Sequence, residues 1–143
     1  MPIELKDREK VIAELNRALG WELRASALYA HYAVYVKGLE SLQLEEHFKE
    51  EATESFGHAE AVRNVIADLG GQAITTRDET EIVHTEDTRE MLEEALATER
   101  KAADQYQKIL PMVKDYYPFW HTIAHILQDE LDAVLEMERL LGI

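Results

Sequence analysis

The apolar positions in the first half of this chain recur with the spacing of two amphipathic helices. The first predicted helix spans residues 6–36 and is broken by Gly38. The second spans residues 41–69 and ends at the pair Gly70 and Gly71. The inward positions of these two helices are apolar: Val11, Leu15, Leu19, Tyr29 and Ala33 in the first, and Leu44, Phe48, Ala52, Ala59, Val62 and Ile66 in the second.

Two further helices are predicted in the second half. The third begins near Asp87, where Asp87 and Glu90 resemble a capping box, and Pro111 closes or kinks it. The fourth starts at Pro118, since proline suits the first turn of a helix. Their inward positions are again apolar: Leu92, Leu96, Ala102, Tyr106 and Leu110 in the third, and Phe119, Ile123, Ile126, Val134, Met137 and Leu141 in the fourth.

The connections between the predicted helices differ in length, and these lengths indicate the topology. Tight turns join the first helix to the second and the third to the fourth, so each pair forms an antiparallel hairpin. Residues 72–86 are polar and long enough to return the chain along the bundle. No segment alternates for long enough to suggest a sheet. We therefore predict a single all-α domain over residues 1–143, a four-helix bundle of two antiparallel helical hairpins joined by a long crossover.

Composition narrows the classes of function. The chain has no cysteine, which excludes disulfides, thiolate metal sites and cysteine nucleophiles. Its 29 acidic and 15 basic side chains give a formal net charge of −14, which repels nucleic acid and attracts cations, although solubility alone also explains it. No apolar run has membrane-spanning length, and no signal peptide is recognisable. We expect a cytoplasmic protein with neither nucleic acid nor a membrane as partner.

A carboxylate interrupts three of the apolar stripes near the middle of the helix. These are Glu22, Glu99 and Glu130, and His58 lies at the edge of the second stripe. An inward carboxylate is costly unless it is paired, protonated or bound to a metal. Any one of these residues alone is more often a hydrogen-bonded core residue, but together, at matching depth, they predict a metal site in the centre of the bundle. Carboxylates with an imidazole favour iron, manganese or zinc.

Segments of all four helices resemble the bacterioferritins and related ferritin-like di-iron proteins. The resemblance covers nearly the whole chain and is carried by residues 15–23, 48–52, 58–60, 69–71, 91–99 and 126–130. It implies the ferritin-like fold and a site in which each half of the chain gives one Glu and one Glu-x-x-His motif. In that family the two motifs together bind two irons that oxidise Fe(II). Glu22, His58, Glu99 and Glu130 match these positions.

The chain departs from the family pattern at several places. The bridging Glu of the family is replaced by Ser55, and the second His by Ala133. Phe56 stands where the family has its haem-ligating Met, so no haem is expected. The sequence stops at Ile143 without the fifth helix of the 24-subunit cages. The expected assembly is therefore a homo-oligomer, either a dimer or a small shell.

Glu54 is the residue we predict to replace the missing bridging carboxylate. It lies about 40° from His58 on the helix circumference, one turn away, and an i, i+4 pair of this kind can share a metal. Glu51 lies about 20° from His58 but two turns away. A solvated surface charge is the alternative for Glu54. Asp129 lies about 100° from Glu130, which argues against it as a replacement for the second His. The predicted metal ligands are thus Glu22, Glu54, His58, Glu99 and Glu130.

The sequence is consistent with three different functions. The first is a protein that binds one or two irons per chain, oxidises Fe(II) with oxygen or peroxide, and stores the product if it assembles into a shell. The second is a rubrerythrin-like oxidase or peroxidase without a mineral store. The third is a binding or structural bundle that has kept the fold and lost its di-iron centre, for which Ser55 and Ala133 are the indications. Ferroxidase activity is expected only if the metal site is competent.

Overall fold

The computed structural model describes residues 5–143. Four long helices account for most of them: α1 (Arg8–Tyr35), α2 (Ser41–Asp68), α3 (Thr88–Ile109) and α4 (Tyr117–Leu141). A short 3-10 turn, Leu110–Val113, follows α3 and contains the proline predicted to close that helix. Residues 5–143 contain no strand. The predicted all-α class is confirmed, and each helix boundary lies within two residues of its predicted position.

The helices pack as two hairpins, α1 with α2 and α3 with α4, and further contacts join α1 to α3 and α2 to α4. The crossover between the hairpins runs along α1 from one end to the other. Arg8 at the start of α1 donates to the carbonyl oxygen of Leu69 at 2.6 Å. Tyr32 near its end donates to the carbonyl oxygen of Val83 at 2.7 Å. The chain is thereby returned to the far end of α1 before α3 begins, as the length of the crossover predicted.

The predicted glycine stop of α2 is a Schellman motif. Gly70 has a φ of +76°, a backbone conformation that residues with a Cβ rarely adopt. Its N–H donates to Ala67 O and that of Gly71 donates to Ile66 O, both at 2.9 Å. These bonds use the free carbonyls of the last turn and direct the chain into the crossover.

The start of α3 confirms half of the predicted capping box. The Asp87 side chain accepts from the backbone N–H of Glu90 at 3.0 Å. The reciprocal bond from Asp87 N–H goes to Thr85 Oγ1 instead, and the same hydroxyl donates to the Glu90 carboxylate at 2.7 Å. Thr85 thus links the two halves of the cap.

The buried apolar side chains form two clusters, one toward each end of the bundle. One cluster contains the first part of α1, the second half of α2, the second half of α3 and the start of α4. The other contains the second half of α1, the start of α2, the start of α3 and the end of α4. On each helix the polar residue singled out from the sequence lies between the two clusters. None of the helices within residues 5–143 has an apolar stretch long enough to cross a bilayer.

Arg24 fastens the crossover to the helices, a role that the sequence did not reveal. Its side chain is buried on α1. The guanidinium donates to the carbonyl oxygens of Thr80 and Glu81 at 3.0 and 2.7 Å and to Thr98 Oγ1 on α3 at 2.7 Å. One side chain therefore joins both hairpins and the segment between them.

Replacing Arg24 with alanine should destabilise the fold by about 2–4 kcal/mol, because several hydrogen bonds from a charged donor are lost and their buried acceptors remain. Urea unfolding followed by circular dichroism measures the change. Arg63→Ala is the control, since Arg63 makes one 3.2 Å bond to the Ile74 carbonyl from a third-exposed position. Equal effects of the two substitutions would show that Arg24 has no special role.

Candidate metal centre

Four polar side chains, one from each helix, meet in the band between the two apolar clusters. They are Glu22 on α1, His58 on α2, Glu99 on α3 and Glu130 on α4, and each is between 1% and 7% exposed. The convergence predicted from the interrupted stripes is therefore observed in the fold.

His58 is the centre of this group. Its Nδ1 lies 3.0 Å from Glu130 Oε1 and 3.5 Å from Glu22 Oε1. One donor atom from each of these three side chains lies within 4.8 Å of the others. Ligand atoms around a first-row metal sit about 2.0–2.2 Å from the ion, so closure of this group around a cation needs only small side-chain movements.

The carboxylates of Glu22 and Glu99 are each held by a tyrosine from the other hairpin. Tyr106 on α3 donates to Glu22 Oε1 at 2.9 Å, and Tyr29 on α1 donates to Glu99 Oε1 at 2.6 Å. Burial raises the pKa of both tyrosines well above the usual value, so they remain donors. Each tyrosine follows the Glu of its own helix by seven residues. This shared spacing is the sequence signal for these crossed tyrosine–glutamate bonds. From the sequence, both tyrosines were assigned only to the apolar core.

The pKa values of the central residues are shifted because three acids lie close together around one histidine. Burial raises the pKa of Glu130 to about 8, and the charge of Glu22 adds to the effect. Burial and the neighbouring Glu130 also raise the pKa of Glu99 well above its usual value. Burial lowers the pKa of His58, but its bonds to Glu130 and Glu22 outweigh this and raise it to about 12. A protonated imidazole thus supplies the positive charge among the carboxylates.

The other ring nitrogen of His58 faces outward. Its Nε2 lies 2.9 Å from Asp129 Oδ2 and 3.7 Å from Glu54 Oε1. The Glu54 side chain is 43% exposed, so it stands at the rim, next to His58 as predicted but away from the buried carboxylates. Asp129, which the helix angle argued against, reaches His58 because the imidazole presents its two nitrogens to different sides of α4. These three residues form a second group of possible metal-binding atoms.

The two departures from the family pattern are both buried. Ser55 lies on the inward side of α2 and Ala133 on the inward side of α4. One turn before Ser55, Glu51 is buried as well, and burial together with the charge of Glu99 raises its pKa to about 8. An inward carboxylate is therefore present on α2, but one turn away from the family position. On the sequence, Glu51 was close to His58 in angle but two turns away, and Glu54 was predicted as the replacement instead.

Comparison with known proteins places this geometry in context. A family model described as the ferritin-like domain matches residues 12–142. The chain is similar to a structure of ferritin-like, diiron-carboxylate proteins from Bacillus anthracis, with 29% identity, a TM-score of 0.89, and coverage of 94% of this chain and 97% of the other. It is also similar to a dodecameric thioferritin, a bacterioferritin-related protein from Bacteroides fragilis. That match has 25% identity, a TM-score of 0.88, and coverage of 95% and 86%. No curated protein matches the chain.

Proposed function

This chain belongs to the ferritin-like domain family, and from that premise we propose that it binds iron at the centre of the bundle and oxidises Fe(II). The proposed inner ligands are Glu22, His58, Glu99 and Glu130. Glu54 is proposed as an outer ligand, which with Asp129 attracts cations to the outward face of His58. The family match and the similarity to diiron-carboxylate proteins support the choice of iron over manganese or zinc.

The observation that carries the proposal is the burial of four convergent donors, three carboxylates with His58 as the one base among them. Arg24, the one buried Lys or Arg among residues 5–143, is bound to the crossover and Thr98 instead. Buried carboxylates in this number are costly unless a cation neutralises them. His58 and the three carboxylates would hold a divalent metal in place of the proton on His58, and its charge would relieve the repulsion among the acids. The donor set, carboxylate oxygens with one imidazole nitrogen, is also the kind that iron accepts.

The surrounding residues orient the proposed ligands. The hydroxyls of Tyr106 and Tyr29 fix the rotation of the Glu22 and Glu99 carboxylates, and Asp129 accepts from Nε2 when Nδ1 binds a cation. Such outer partners set the tautomer and basicity of the ligands. Iron bound at the centre supplies electron transfer to oxygen or peroxide, which these side chains cannot perform themselves. The apolar clusters on both sides exclude bulk water from this band.

Glu130 is the residue proposed to take part in both iron positions. Glu130 Oε1 lies 3.0 Å from His58 Nδ1, and the carboxyls of Glu22 and Glu99 are both within hydrogen-bonding reach of Glu130. A first iron is assigned to Glu22, His58 and Glu130. Glu130 and Glu99 would hold a second iron. We expect the first position to bind more tightly, because it alone has a nitrogen ligand.

Oxygen uptake after addition of Fe(II) tests the proposal. The wild-type chain should consume oxygen faster than buffer with the same Fe(II), and Zn²⁺ added beforehand should suppress the excess, since it competes for the same donors. Oxygen uptake equal to that of buffer would instead favour a binding or structural bundle that has lost its metal chemistry. Iron content per assembly then separates storage from a rubrerythrin-like oxidase, because a store must be a hollow shell.

We also propose a homo-oligomer, a dimer or a small shell, working in the cytoplasm. The similar Bacteroides fragilis protein is described as dodecameric, which supports a shell smaller than the 24-subunit cage. The lack of cysteine fits a reducing compartment. The mass of the assembly in solution tests the first point, and a mass of 24 chains would contradict it.

Zn²⁺ binding at pH 7 should release about one to two protons per chain, because the bound forms of His58 and Glu130 are deprotonated. Their raised pKa values, about 12 and about 8, keep protons on both groups in the metal-free protein at that pH. The apparent affinity should therefore rise as the pH rises toward 8. Calorimetry in buffers of different ionisation enthalpy measures the release. The release should fall by about one in His58→Gln, and an enthalpy independent of buffer would contradict the proposal.

A further inference from the structure

A second group of metal-ligand side chains lies outside the central band, toward the start of α2. His47 and Glu51 are one turn apart on α2, and Glu136 faces them from α4. His47 Nδ1 lies 3.7 Å from Glu136 Oε1. One donor atom of each of the three side chains lies within 4.8 Å of the others. The arrangement combines an i, i+4 His–Glu pair with a carboxylate from the facing helix.

One of these side chains has an enclosed polar atom without a partner, and a second is a buried acid. His47 Nε2 is enclosed and has no hydrogen-bond partner among residues 5–143. Glu51 is only 8% exposed, and an oxygen of its carboxylate lies within 4.8 Å of ligand atoms of both His47 and Glu136. Burial and the charges of Glu99, Glu54 and Glu136 raise its pKa to about 8. An ion pair between His47 and Glu136 alone leaves Glu51 unexplained, since a buried acid without partners is costly.

A cavity connects this group with the surface. It has a volume of about 470 Å³ and is lined by His47 and Glu136 together with Glu40, Leu44, Leu92 and Leu141. A hydrated cation can enter such a space, and water molecules can complete its coordination. Arg89 also lines the cavity, but its guanidinium lies 3.2 Å from Glu93 on its own helix, which balances its charge.

We propose that His47, Glu51 and Glu136 form a second divalent-cation site, distinct from the central one and suited to a first-row metal such as Zn²⁺ or Fe²⁺. Imidazole nitrogens and carboxylate oxygens are both ligands of first-row metals, and three protein ligands leave a position open for water. His47 lines the cavity, and Glu51 lies one turn further along α2 toward the central band. The site therefore lies between the cavity and the central band.

Equilibrium binding of Zn²⁺ to the full chain tests this site. His47→Gln and Glu136→Gln should each bind about one Zn²⁺ fewer per chain, or bind it at least about tenfold more weakly, than the wild type. Glu50→Gln removes an exposed acid beside Glu51 and should bind as the wild type does. Glu130→Gln should lose the central ion and keep this one, so failure of the central site and failure of the second site give different results.

Crystals of the wild-type chain grown with Zn²⁺ should show an anomalous peak between His47 and Glu136. If His47→Gln does not fold, Glu136→Gln decides alone, because that side chain is 53% exposed and its replacement disturbs no packing. Unchanged Zn²⁺ stoichiometry and affinity in Glu136→Gln would overturn the proposal. So would an anomalous peak confined to the central band.

Discussion

Replacing Glu130 with glutamine should lower the initial rate of Fe(II) oxidation by on the order of 100-fold, while the chain still folds as a helical bundle. Glu130 is the one central carboxylate that faces both His58, at 3.0 Å, and Glu99. Glutamine keeps the shape but removes the charge and one ligand oxygen. Both proposed iron positions are therefore affected by a single change. Oxygen uptake under excess Fe(II) measures the rate.

Asp132→Asn provides the matched control for this experiment. Asp132 is an exposed acid two residues further along α4, and its side chain accepts from Gln128 on the same helix. It should oxidise Fe(II) at the wild-type rate, because it lies outside the central band. Equal rates for Glu130→Gln and the wild type would place oxidation elsewhere. A similar loss in Asp132→Asn would mean that general negative charge, rather than the buried site, drives the reaction.

The metal-free protein should become more stable when Glu99 is replaced with glutamine, by about 1–4 kcal/mol near pH 8. Burial raises the pKa of Glu99 well above the 4.5 of a free carboxyl. A carboxyl of this kind stabilises the fold below its unfolded pKa and loses that contribution as the pH rises. The gain from glutamine should therefore be small below pH 4.5 and largest at neutral to alkaline pH. The amide of the new side chain still offers an oxygen to the Tyr29 hydroxyl.

Urea unfolding of the metal-free chains at two pH values measures this effect, and added Zn²⁺ should reduce the difference between the two chains. The wild type should gain stability with the metal, by about 2.7 kcal/mol at a hundredfold excess over Kd, and Glu99→Gln should gain less. Glu93→Gln, on an exposed position of α3, should change stability by less than about 0.5 kcal/mol under both conditions. A Glu99→Gln variant that is less stable than wild type at pH 8 would show that the carboxylate is well compensated without any metal.

The bundle followed from the sequence because its signals are local. Helix periodicity, the glycine stop at Gly70 and the proline near the start of α4 each depend on a few neighbouring residues. The long crossover then left few ways to arrange two hairpins. The convergence of Glu22, His58, Glu99 and Glu130 followed for the same reason, since equal depth on four packed helices brings side chains together.

Which side chains meet around His58 depends on how the helices pack against one another. The angle between two residues on one helix gives no information about that packing. Glu51 and Glu54 are both close to His58 in angle, yet Glu51 is buried and Glu54 remains at the rim. Asp129 was set aside by its angle from Glu130, yet it reaches the second nitrogen of His58. In each case the rotation of α2 and α4 about their axes decides which side chains meet. That rotation is set by the apolar clusters at both ends.

The iron content of the purified chain, measured after anaerobic loading with Fe(II) and desalting, tests the central site most directly. The comparison is between the wild type and a variant carrying Glu22→Gln with Glu99→Gln, in which the crossed tyrosines keep an oxygen acceptor. We expect about one to two irons per wild-type chain at the centre, and at least about one fewer in the variant. Equal iron content in the two proteins would contradict a metal site built from the buried carboxylates.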